Sequence, residues 1–90
     1  MSSDNETLMT GDDLKQIVEN QLSDNDPIKV KSTLMRLMMT GTPRDEAIEL
    51  IACALSVEVL DVMQKQTSFN LSRYESHLDM LPDISWLEGE

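Results

Sequence analysis

One thiol, one imidazole and one carboxylate pair are the side chains of this sequence whose types and spacing best suit chemistry. A thiol becomes a nucleophile when a neighbouring cation or a helix N-terminus depresses its pKa. Cys53 stands among Leu50, Ala52, Ala54 and Val57 with no basic residue within one helical turn, so it is expected to be a small packing residue. His77 is the only histidine and shares a polar helix side with Arg73, Ser76 and Met80. A lone imidazole without a second ligand is a poor metal site, so His77 is expected at the surface. Glu58 and Asp61 are three residues apart and share a helix face, a geometry that a carboxylate acid–base pair could use. Carboxylates at that spacing ordinarily form the solvated edge of a helix, and that is the expectation here. The sequence has no glycine-rich phosphate loop, no Cys-x-x-Cys and no His-Glu-x-x-His. It therefore predicts no catalytic residue, no cofactor, no metal ligand and no enzyme activity.

The elements that would position these groups are helical. Residues 1–10 are polar, acidic and aperiodic, and are expected to be disordered. Leu14, Ile17, Val18 and Leu22 lie on one face of a first helix, from Asp12 or Asp13 to Leu22, which Ser23-Asp24-Asn25-Asp26 ends. A second helix opens with Asp26 as cap and Pro27 at its first position. Its stripe is Val30, Leu34, Leu37 and Met38, widened by Met35 and Met39, and Gly41 stops it. Thr42 and Pro43 then open a third helix, with Asp45 three residues beyond the cap, so helices two and three meet at a tight corner. From Ala47 to Met63, thirteen of seventeen residues are apolar. A helix apolar on nearly every side must be wrapped by the rest of the chain or shared with a second copy. Its main face is Ile48, Ile51, Ala52, Leu55, Val59, Val62 and Met63, and a second is Ala47, Leu50, Ala54 and Val57. A fourth helix restarts at Asn70, with Phe69 and Tyr74 at the spacing of a hydrophobic staple. Leu71, Tyr74, Leu78 and Leu81 form its seam, and Pro82 ends it. The expectation is all-α: a small four-helix bundle over 11–82 with a central apolar third helix at about 43–65, and a tail at 83–90.

Charge and composition narrow the function. The net charge is −10, and residues 27–44 interrupt the acidity with Lys29, Lys31, Arg36 and Arg44 and no acid at all, so the helix they hold is expected to lie against acidic neighbours within the fold. Such a chain is repelled by nucleic acid. The apolar segment carries Glu49, Glu58 and Asp61 and is short for a membrane span, so no membrane association is expected and a cytoplasmic setting is. One cysteine forms no internal disulfide. Carrier proteins that bear a phosphopantetheine arm share this size and acidity, but their Asp-Ser-Leu attachment motif is missing. Met35, Met38 and Met39 cluster on helix two; flexible thioethers suit an adaptable docking surface but also fill irregular cores, and core packing is expected of them. Trp86, in a short apolar tail flanked by acids, either docks elsewhere or folds back over the bundle, and packing is expected of it.

The run L-M-M-T-G-T-P-R-D-E-A-I-E-L-I-A, followed by F-N-L-S-R-Y-E-S-H-L-D-M-L-P, resembles a type of small bacterial protein of unknown function. The likeness spans about Leu34 to Pro82 and implies an all-helical fold in a bacterial cytoplasm; it implies no activity, ligand or site residue. The function expected of the chain is protein binding, as an adaptor or regulator, with a homodimer through helices two and three as one form. The candidate surface is Leu50, Ala54, Val57, Met35, Met38, Met39 and Trp86. The alternative is an acidic inhibitor, immunity-type or nucleic-acid-mimic protein that occupies a basic site on its partner.

Overall fold

Local capping chemistry divides the chain into helices. The computed structural model describes residues 11–66 and 68–88, the last two by backbone alone; the acidic segment 1–10 lies outside the described residues. The helices are α1 (Gly11–Asp24), α2 (Ile28–Met39), α3 (Arg44–Lys65), α4 (Leu71–Met80) and α5 (Ser85–Glu88). The first four make an all-α bundle around α3, and α5 is a single turn within the expected tail.

The corner between α2 and α3 is a Schellman motif. The Thr42 amide donates to the Leu37 carbonyl at 2.9 Å and the Gly41 amide to Met38 at 3.1 Å, with Gly41 at φ +106°. A second such motif ends α1, where Asn25 takes the left-handed position at φ +55°. There the Asp26 amide reaches Gln21 and the Asn25 amide reaches Leu22. Both prolines sit one residue earlier than expected. Pro27 (ψ 149°) and Pro43 (ψ 152°) are extended residues in the cap position, so α2 begins at Ile28 and α3 at Arg44. Their carbonyls still accept the opening bonds, from Val30 at 3.1 Å and from Ala47 at 2.8 Å. The α4 entry is as expected: the Asn70 side chain accepts from the Arg73 amide at 3.0 Å. Phe69 meets Tyr74 edge to face, with ring centroids 5.5 Å apart.

The core is one cluster of Val18, Val30, Leu34, Leu37, Ala47, Ile48, Ile51, Ala52, Ala54, Leu55, Tyr74, Leu78 and Leu81. Helix α1 runs antiparallel to α3: Lys15 pairs with Glu49 at 3.5 Å, while Glu19, one turn later, grips Arg44 five residues earlier at 2.9 Å. That guanidinium holds the Glu19 carboxyl below its ordinary range. Tyr74 is buried and donates to Gln21 Oε1 at 2.9 Å, and burial pushes its hydroxyl pKa upward. Central α3 is thus wrapped over most of its length. Its last turns open outward, with Leu60 and Met63 about half exposed, so Met63 leaves the face expected of it.

The stop of α3 is less well matched than that of α2. Gln66 occupies the left-handed region (φ +55°, ψ +38°) while its amide donates to Val62 at 2.8 Å. A side chain there costs about 1 kcal/mol that glycine avoids. Gln66→Gly is expected to gain roughly 0.5–1 kcal/mol, raising the thermal midpoint by about 4 °C after the added backbone entropy is counted. Circular dichroism melting checks this, and a lowered midpoint refutes it.

Candidate interaction surface

Helix α2 is apolar on both sides. Val30, Thr33, Leu34 and Leu37 turn inward and are buried. Met38, expected in that stripe, is 45% exposed instead, and Thr33 holds its place. On the opposite side, at spacings of seven and four, stand Ile28 (71% exposed), Met35 (52%) and Met39 (83%). Met63 and Met80 are also exposed, so the five methionines among the described residues all lie outside the core, against the core packing expected of them.

Cations border this face. Along the α4 side, Lys29 pairs with Asp79 at 2.9 Å. Arg36 donates to the carbonyls of Leu78 and Leu81 at 2.9 and 2.8 Å, satisfying two groups at the C-terminal end of α4. Lys31, one turn before Met35 on the opposite border, has no partner among the described residues.

On α3 the candidate residues divide. Leu50 and Val57 are half-buried, but Ala54 is wholly buried and lies within the core, so it offers no surface. Cys53 is half-buried in the wall of a groove of about 280 Å³ between α1 and α3, beside Leu14, Ala52 and Ser56. Burial, then the Glu49 carboxylate, push its thiol pKa upward, the opposite of activation.

Glu58 departs from the expected solvated edge: its side chain is fully buried. Arg73 clasps it with two hydrogen bonds, Nε to Oε2 at 2.7 Å and Nη2 to Oε1 at 2.9 Å, and also reaches Asp61 at 2.9 Å. Lys65 closes the network on Asp61 at 3.1 Å. Arg73, then Lys65, hold the Asp61 carboxyl below its ordinary range, and the two carboxylates raise the already high pKa of Arg73. Asn70 fixes the amide of this same arginine, so the cap and the ion pair position α4 together. Both carboxylates are engaged in holding helices together.

Trp86 folds back, as expected. Its indole stacks on His77, with centroids 4.0 Å apart and planes within 4°, and its Nε1 donates to the Asp83 carbonyl at 2.8 Å. Asp83 starts the turn by accepting from the Ser85 amide at 2.9 Å, which lowers its own pKa. The stack changes the reading of His77. The ring is half-covered, and its Nδ1 is buried with no hydrogen-bond partner among the described residues.

On α2 the outward residue absent from the candidate surface is Ile28, and its signal was the 28–35–39 spacing opposite Val30 and Leu37. Among the described residues no helix is long and apolar enough to cross a membrane, and no three His, Cys, Asp or Glu side chains are placed to hold a metal ion. No known protein family, curated protein or solved structure matches the chain.

Proposed function

We propose that this chain is a non-catalytic protein-interaction module, an adaptor or regulator, that docks its partner on the outer face of α2. The observation that carries the reading is the line of Ile28, Met35 and Met39 on a helix whose other side is already core. Covering such surface is worth roughly 25 cal/mol per Å² of apolar area removed from water. Methionine adapts its shape to the surface it meets. The acidic-inhibitor alternative has less support. It rests on the overall charge of −10, which steers a basic partner but marks out no docking face. A single free cysteine suits a reducing cytoplasm.

The test is a double substitution, Met35→Gln with Met39→Gln, which keeps side-chain length and helix propensity while removing the apolar surface. In affinity capture from source cells, the variant is expected to lose at least one protein that the unmodified chain retains. Its thermal midpoint is expected to stay within about 4 °C, since both sites are exposed. Capture of the same proteins by both forms would overturn the proposal.

A further inference from the structure

The geometry points to an acidic amphipathic helix as the class of partner seated on α2, an inference that rests on the reading of α2 as a docking face. Three large apolar side chains in line along a twelve-residue helix match the anchor spacing of a second helix laid against it. Charge then chooses among helices. Residues 27–44 contain four cations and no acid. Of the three cations on α2, Lys31 and Arg36 meet no carboxylate among the described residues, and they stand on opposite borders of the Ile28–Met35–Met39 line. A partner helix with an apolar stripe and carboxylates on its flanks answers the Lys31 ammonium on one border and, on the other, the charge that Arg36 keeps while it donates to the Leu78 and Leu81 carbonyls.

The same charges argue against a second copy. Antiparallel α2 against α2 would set Lys29, Lys31 and Arg36 against their own kind, with no acid on either helix to answer them. The overall charge of −10 makes the inference sharp, because by itself it favours a basic ligand. At physiological salt the screening length is about 8 Å, so charges bordering the face outweigh distant ones.

Two fluorescein-labelled helical peptides of about twenty residues supply the probes. They share a leucine stripe at i, i+3, i+4 and i+7 and differ only in carrying Glu or Lys on the flanks. Fluorescence anisotropy at 0.15 M salt on the full chain is expected to give about tenfold tighter binding of the Glu-flanked peptide. Lys31→Glu is expected to erase most of that preference, and Met35→Gln with Met39→Gln to weaken both peptides. Equal or tighter binding of the Lys-flanked peptide, still lost in the methionine variant, overturns the acidic class while leaving α2 as a docking face. No binding of either, or binding indifferent to the methionines, overturns the docking face as well. Light scattering that gives a dimer, abolished by the methionine variant, assigns the face to a second copy and also overturns the inference.

Discussion

Replacing Arg73 with leucine lowers the thermal midpoint by about 12 °C, whereas replacing Arg73 and Glu58 together with leucine restores most of the loss. Removing one partner of a buried pair leaves the other charged and desolvated, at a cost of about 3–5 kcal/mol, and the low end applies because Arg73 itself is partly exposed. At 4 °C or more per kcal/mol for a domain this small, that gives the stated fall. The double variant carries no orphan charge, and apolar replacements of buried pairs are often neutral. Thermal melts of the three proteins decide it: equal midpoints for the single and double variants refute a role for stranded Glu58. Acid supplies a second reading of the same network. The folded-state pKa of Asp61 is depressed from its ordinary 3.8, chiefly by Arg73. Its contribution to stability is therefore present above that ordinary value and is lost as pH falls through the lower folded value. The Arg73→Leu protein has less of it to lose, so the midpoints of variant and parent converge as the pH is lowered from 5 towards 2.

Peroxide treatment is expected to weaken binding of the Glu-flanked peptide without unfolding the protein. A thioether takes one oxygen atom from peroxide, giving the sulfoxide and water, and an apolar side chain becomes polar. The core cluster contains no methionine, while Met35, Met38, Met39, Met63 and Met80 are 45–83% exposed. Full oxidation, verified by mass spectrometry, is expected to leave the helical signal intact and the midpoint within about 4 °C. Affinity for the Glu-flanked peptide is expected to drop at least about tenfold, with recovery after methionine sulfoxide reductase. A large fall in the midpoint would place these side chains in the packing after all.

The helix boundaries were legible in the sequence because capping is chemistry between near neighbours. Gly41 in its left-handed turn, the Asn70 cap and the Phe69–Tyr74 staple each need only a few residues of context. The one-residue shift at Pro27 and Pro43 is local too, since proline fits the last extended residue as well as the first helical one. Which way α2 faces was less legible. Its apolar residues cover both sides, so periodicity admits Met38 to the core as readily as Thr33, and only packing against α3 and α4 chooses. Glu58 was hidden for another reason. Its burial depends on a guanidinium fifteen residues away on a different helix, a pairing that no spacing rule within one helix records. Ala54 was assigned to an open face by its neighbours Leu50 and Val57, but a small side chain invites close approach and vanishes beneath it.

The chain has one indole, and that indole rests on its one imidazole. Ultraviolet emission from Trp86 therefore reports a single local event, the seating of α5 against α4, with no second tryptophan to dilute the signal. Far-ultraviolet ellipticity reports the long helices, to which the four residues of α5 add little. The molecule thus carries two independent optical channels, one for its tail and one for its bundle. Any ligand that lifts the tail changes the first and leaves the second still.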